Sequence, residues 1–376
     1  MSNKHLPHDL QQLQSLPLEA KETMSMQRAV QWFEYWNAEV YVSFSGGKDS
    51  TVLADLCARV CQRYGWTLYL LFVNTGLEYP EIQKFVKTFA EWLRRQYRIK
   101  VVLDIVRPDM RFDEVIKKYG YPIISKEVSN TVAGARRSIK KGQYSLRLRQ
   151  LGVKREEYGG LYDEGKHDYE KTVEKSKFSQ TKWRYLIDAD FDISEKCCNH
   201  MKKAPSHRYE KETGRKPFIG TLASESMTRH AAWMKKGCNA FEGKRPTSQP
   251  LSFWTEQDIL HYIKEYKVPY CSVYGDIVPV SDEPMIDGQI TVFDILDNYE
   301  VTDLTTTGCD RTGCIFCMFG CHLEKEPNRF QRLKETHPKQ YKYCIGGGEM
   351  VDGKWQPSKD GLGLGKVLDC IGVKYE

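Results

Sequence analysis

Apolar residues along this chain gather into short continuous runs, separated by stretches where they recur at helical spacing. Val40 to Phe44 is a short, largely apolar run of the kind a buried strand makes. After it, Val52, Leu53, Leu56 and Val60 repeat with the period of a helix. Thr67 to Asn74 is almost uninterrupted in its apolar character, as a central parallel strand is. Thr75 to Pro80 ends it, Glu81 to Tyr97 reads as a second helix, and Ile99 to Val106 as a third strand. Upstream, Met26, Val30, Phe33 and Trp36 give one apolar face to a helix over Thr23 to Asn37, with Thr23 as its cap. Alternating strands and helices predict an α/β fold with a doubly wound parallel sheet, in which ligands sit at the carboxyl ends of the strands.

Farther along, Pro217 to Thr221 reads as another strand, and Ala223 to Arg229 opens a helix. Thr255 and Asp258 are spaced to cap a helix at the N-terminal end. The region from Arg111 to Lys182 is less regular. Lys140 to Lys182 is dense in charge and predicts a helical, solvated insertion around 130–182. Arg136, Arg137, Lys140, Lys141, Arg147 and Arg149 could instead make it a lid or a docking surface for a polyanion. Glu324 to Tyr343 predicts a charged helix, and the glycines at 346–348 and 361–365 predict loops.

The stretch with the clearest chemistry joins the first strand to its helix: Ser43-Phe44-Ser45-Gly46-Gly47-Lys48-Asp49-Ser50-Thr51. Glycines in such a turn let backbone N–H groups approach a ligand, and the helix start leaves N–H groups unpaired in a field that favours an anion. Lys48 adds a positive charge, and Ser45, Ser50 and Thr51 add hydroxyls. The spacing is not that of a Walker A loop. The bland alternative is a tight strand–helix turn without a ligand.

Composition changes this picture little. The 376 residues suffice for one large or two modest domains, and the net charge of +6 permits nucleotide or nucleic-acid binding without arguing for it. No apolar run reaches the length of a membrane span, and Met1 to Leu18 lacks an apolar signal core, so a cytoplasmic protein with no membrane partner is expected. The twelve cysteines are then expected to be mostly reduced. Cys57, Cys61, Cys238, Cys271 and Cys344 read as core thiols.

Ser45 to Ser50 resembles the S-G-G-K-D-S loop of the PP-loop ATP pyrophosphatases, which holds the phosphates of an adenine nucleotide. Asn74 to Pro80 resembles a segment beside the nucleotide in the phosphoadenosine phosphosulfate reductase family, with Asn74 where an aspartate is usual. Gly220, Ser226 and Arg229 match that family's G-x-R-x-x-x-S-x-x-R pattern, while Leu222 stands in place of its first arginine. Pro250 to Tyr274 also resembles the family, so the likeness runs from about residue 39 to 320, interrupted by insertions near 130–180 and 275–307. It implies an adenine nucleotide alpha hydrolase-like fold. It also implies a nucleotide site of Ser43, Ser45, Gly46, Gly47, Lys48, Asp49, Ser50, Thr51, Asn74, Thr75, Gly76, Glu78, Gly220, Ser226 and Arg229. Lys48, Asp49 and Arg229 are its catalytic candidates, with Mg²⁺ assisting through Asp49. A guanidinium holds sulfate or phosphate through two hydrogen bonds and leucine cannot, so Leu222 argues against a sulfonucleotide and leaves ATP open.

Cys309, Cys314 and Cys317 have the C-x4-C-x2-C spacing of a metal-binding loop, with Cys321 and His322 just beyond. Cys197-Cys198 resembles the paired cysteines of the iron–sulfur adenylylsulfate reductases. Two ligand sets stay open for a [4Fe–4S] cluster: Cys197, Cys198, Cys314 and Cys317, or Cys309, Cys314, Cys317 and one of the pair. Zinc is the alternative metal. The expected layout is a nucleotide-binding domain over 1–274 and a cysteine-rich region over 275–376. The expected activity is ATP-dependent adenylation of an acceptor with pyrophosphate release in sulfur transfer, the acceptor being a nucleic acid or a protein and a partner protein being allowed. One alternative is a sulfonucleotide reductase, for which Cys370 would be the nucleophile. The other is a non-enzymatic nucleotide and redox sensor.

Overall fold

A computed structural model describes residues 5–157, 179–280 and 303–376 of the chain. It divides into two compact units, each assembled from three segments. The first unit comprises 1–74, 78–107 and 205–313; the second comprises 75–77, 108–204 and 314–376.

The first unit is built on a six-stranded sheet. Its strands are β1 (Val40–Ser43), β2 (Leu68–Val73), β3 (Val101–Val106), β4 (Lys216–Ile219), β5 (Asn239–Ala240) and β6 (Thr247–Ser248). Their spatial order is β3-β2-β1-β4-β6-β5, and all neighbours run parallel except the β5–β6 edge pair. Val42 pairs with Leu70 on one side and Phe218 on the other. The chain moves outward from β1 through β2 to β3, then returns to the opposite side of β1 as β4. The order of strands therefore reverses between β1 and β4, the place where open parallel sheets bind ligands. This is the doubly wound parallel arrangement that the alternation of elements predicts.

Helices Leu18–Tyr35, Lys48–Tyr64 and Pro80–Tyr97 pack on the sheet. Val52, Leu53, Leu56 and Val60 are buried with Trp32, Phe33, Phe44, Phe89, Phe218 and Trp254 in one core, and Cys57 and Cys61 are part of it. The first of these helices begins behind Pro17, five residues before Thr23, so Thr23 lies within it and caps nothing. The capping pair at Thr255 and Asp258 is present: each accepts from the other's backbone N–H at the start of Glu256–Glu265.

The second unit contains helices Phe112–Tyr119, Lys126–Lys140 and Leu146–Gln150, a π-helical turn at Asn199–Lys203, and helices Arg329–Thr336, Pro338–Ile345 and Leu364–Cys370. Ile123–Ile124 pairs in parallel with Met318–Phe319. The long helix expected over Glu324 to Tyr343 is two helices, because Pro338 lacks the N–H to continue the first and starts the second. The charged stretch from Lys140 to Lys182 forms no continuous helix among the described residues; it has a short helix and a 3₁₀ segment at Thr181–Ile187, and residues 158–178 lie outside the description. Two of its basic candidates are committed internally. Arg136 donates to the carbonyls of Leu186, Ala189 and Phe191, and Arg147 to the side chain and backbone of Asn130. No helix among the described residues is long and apolar enough to cross a membrane.

Candidate nucleotide site and cysteine group

The phosphate loop leaves the carboxyl end of β1 and turns at Gly46, whose φ is +74°. A Cβ there would lie 3.0 Å from Ile82 and 3.1 Å from Val86, so glycine is required by both conformation and space. Helix Lys48–Tyr64 follows at once, with Asp49 in its first turn. The loop hydroxyls close on the loop itself. Ser45 Oγ and Ser50 Oγ are 3.0 Å apart, and the hydroxyls of Ser50 and Thr51 donate to the Gly47 carbonyl at 2.9 and 3.0 Å. They brace the turn together with the N–H groups of Ser45 and Gly47, which donate to the hydroxyls of Ser50 and Ser45 at 3.2 and 3.3 Å. Ser43 ends β1, Asn74 follows the end of β2, and Gly220 follows the end of β4, all on the same sheet edge. A Cβ on Gly220 would lie 3.0 Å from the Asp49 carbonyl, so glycine lets β4 close against the first turn of the phosphate-loop helix.

Other residues of this site are not evident from the motif. Lys48 Nζ pairs with Glu256 Oε1 at 3.0 Å, and Lys48 is nearly buried while the Glu256 side chain is exposed. The Lys48 N–H donates to the hydroxyl of Tyr274 at 3.2 Å, and that hydroxyl lies 2.6 Å from Thr312 Oγ1. Burial pushes the Asp49 carboxyl up; Lys48, Arg229 and Arg311 pull against this, and Glu256 adds to it. Ser226 caps helix Met227–Lys236 by accepting from the Arg229 N–H. Arg229 forms an ion pair with Glu225, and Arg311 Nη2 reaches the other oxygen of the same carboxylate at 3.1 Å. Tyr274 lies in a stretch singled out in the sequence only for its likeness to the family. Arg311 and Thr312 lie in a loop read only for its cysteines.

Thr75 and Gly76 belong to the second unit, where Thr75 Oγ1 accepts from the Leu77 N–H and the Leu77 carbonyl from the Ile315 N–H. Glu78 belongs to the first unit. The cysteines divide as well. Cys309 is in the first unit, with its thiol 2.8 Å from the Arg311 carbonyl. Cys197, Cys198, Cys314 and Cys317 are all in the second. Cys197 Sγ lies 3.9 Å from Cys198 Sγ. The hydrogen bond from Cys197, with Lys126 and Lys202 nearby, draws the Cys198 thiol down to about 6 against its burial. The same hydrogen bond and burial push Cys197 up, and Cys198, Cys317 and Cys314 add to the rise. Arg329, which ion-pairs with Glu324, also donates to the Cys317 carbonyl. Among the described residues, no three His, Cys, Asp or Glu side chains converge tightly enough to hold a metal ion. The donor chemistry of the second unit is nonetheless that of soft-metal ligation: four sulfurs that feel one another's charge, flanked by cations. Cys321 is buried and donates to the Met318 carbonyl. Burial, with Asp190 beside it, pushes the Cys370 thiol up.

A glycine turn at the reversal point of a parallel sheet, opening directly into a helix whose first residue is a lysine, is a geometry suited to holding phosphate. The chain belongs to the phosphoadenosine phosphosulfate reductase family of nucleotide-binding enzymes: the model of the phosphoadenosine phosphosulfate reductase domain matches residues 39–148 and 150–319. An uncharacterized protein of Methanocaldococcus jannaschii is 31% identical over 115 residues, which is 31% of this chain and 25% of that protein. The match thus spans a quarter of that relative's length. Among solved structures, an NMN synthetase from Francisella tularensis aligns with a TM-score of 0.32 at 12% identity, covering 68% of this chain and 73% of that one.

Proposed function

We propose that the protein binds ATP at the phosphate loop and adenylates an acceptor, with release of pyrophosphate, as part of sulfur transfer. The observation that carries this reading is the loop itself, a glycine turn at the end of β1 with Lys48 at the head of the helix and Asp49 in its first turn. In the step proposed, an acceptor oxygen attacks the α-phosphorus, the bond to the bridging β-oxygen breaks, and pyrophosphate is the leaving group. Lys48 and the loop N–H groups hold the charge that develops on the departing phosphates. Arg229 balances charge at the far side of Asp49. Asp49 and Glu256 offer the hard oxygen donors that Mg²⁺ takes, and the ion would neutralise the phosphates. Acceptors in keeping with the mild positive charge include nucleic acid and protein.

Cys197, Cys198, Cys314 and Cys317 would hold a [4Fe–4S] cluster, since they share one unit and one electrostatic field. When bound, the cluster would supply a place to hold or pass sulfur.

The test is pyrophosphate release from ATP by anaerobically purified protein. Lys48→Ala should reduce it by at least about a hundredfold, as loss of a charge-stabilising donor does. Release that is absent from the wild type, or unchanged in Lys48→Ala, rejects adenylation at this loop. One observation favours the alternative of a sulfonucleotide reductase: Arg311 brings a second guanidinium beside Arg229. The raised Cys370 thiol counts against it. Thioredoxin-dependent sulfite release from adenylylsulfate, lost in Cys370→Ser, would replace the first reading with this one. Tight nucleotide binding with neither reaction would leave the sensor reading.

A further inference from the structure

Sequence reading finds an arginine missing at Leu222, yet two guanidiniums meet at this edge of the first unit. Arg229 and Arg311 grip opposite oxygens of the single carboxylate of Glu225. Glu225 Oε2 also accepts the Leu222 N–H at 3.1 Å, so the carboxylate is fixed at the very residue that replaces the usual arginine. The two guanidiniums share the Glu225 carboxylate, and Asp49 is the further negative group in their field. Burial lowers the pKa of Arg229, Arg311 lowers it further, and Asp49 opposes them. Asp49 in turn feels Arg229, Arg311 and Lys48 together, so both guanidiniums stand within the field of the phosphate loop. Arg311 is 74% exposed and Arg229 39%, whereas Lys48 is nearly buried and already matched by Glu256. The pair is therefore open to a ligand.

We propose that Arg311, from the cysteine loop, completes with Arg229 a subsite for the terminal tetrahedral oxyanion of an adenine nucleotide, a phosphate or a sulfate. This rests on the nucleotide reading of the phosphate loop and adds a residue to it. The guanidinium absent from position 222 is supplied in space by a residue almost ninety positions downstream. Two planar forks converging on one point suit an oxyanion with several equivalent oxygens. A ligand that ends at its first phosphate has nothing to place there.

Equilibrium binding of AMP, ATP and adenylylsulfate to the full chain tests this, with wild type, Arg311→Leu and Arg311→Lys compared. Arg311→Leu should weaken ATP or adenylylsulfate by about tenfold, leave AMP within about twofold, and be partly rescued in Arg311→Lys, which keeps the charge and loses the fork. The larger loss with ATP assigns the subsite to a phosphate; the larger loss with adenylylsulfate assigns it to a sulfate. Because the side chain is exposed, the melting temperature should not change, which separates lost contact from lost fold. If the wild type binds ATP and Arg311→Leu binds it equally well, or if AMP weakens in parallel, the subsite is rejected and the nucleotide site stands. If the wild type binds none of the three, both fall together.

Discussion

At the scale of single residues, the site depends on small groups in constrained places. Gly46 has the backbone conformation that L side chains rarely adopt, and its α-carbon faces Ile82 and Val86. Gly46→Ala should cost about 1–2 kcal/mol for the left-handed conformation, with the tight contact in addition. A melting temperature lowered by several degrees, together with weaker ATP binding, is the expected result. An unchanged melting temperature would mean that the turn can relax without harm. The loop was legible because a strand, two glycines, a lysine and a helix start are contiguous. Glu256, Tyr274 and Thr312 were not, because each reaches the loop from a remote stretch, as Arg311 reaches Glu225, and only the tertiary fold joins them.

At the scale of elements, two helices far apart in the first unit's sequence are tied by a charge. Lys21, 3% exposed, donates to both oxygens of Asp258 at 2.7 and 2.8 Å. Asp258 also caps its own helix, so one carboxylate orients helix Glu256–Glu265 and anchors it to helix Leu18–Tyr35. The same helix carries Glu256, the partner of Lys48. Lys21→Met leaves Asp258 with its cap but without its counter-charge, and should cost about 3 kcal/mol in denaturant unfolding. A cost below about 1 kcal/mol would show that solvent makes up the difference. Strands and long helices were readable from apolar period. Ends were less so: the first long helix starts behind Pro17, and Pro338 breaks what charge pattern alone presented as one helix.

At the scale of the whole molecule, four cysteines come from two distant segments to one unit, and no pattern of spacing within either segment reveals that. With a shared cluster, anaerobically purified protein should carry about four iron per chain. Cys197→Ser and Cys314→Ser should each lose most of it, while Cys344→Ser, a buried core thiol, should keep it. Equal iron in all three variants would reject the assignment. The interleaving of segments also sets an order of events during synthesis. The whole of 205–313 emerges from the ribosome after Cys197 and Cys198 and before Cys314 and Cys317. At roughly 5–20 residues per second, that delay is on the order of ten seconds. For that interval the adjacent thiols wait in a nascent chain without their companions. A group that all four sulfurs share is therefore completed only after Cys317 has emerged.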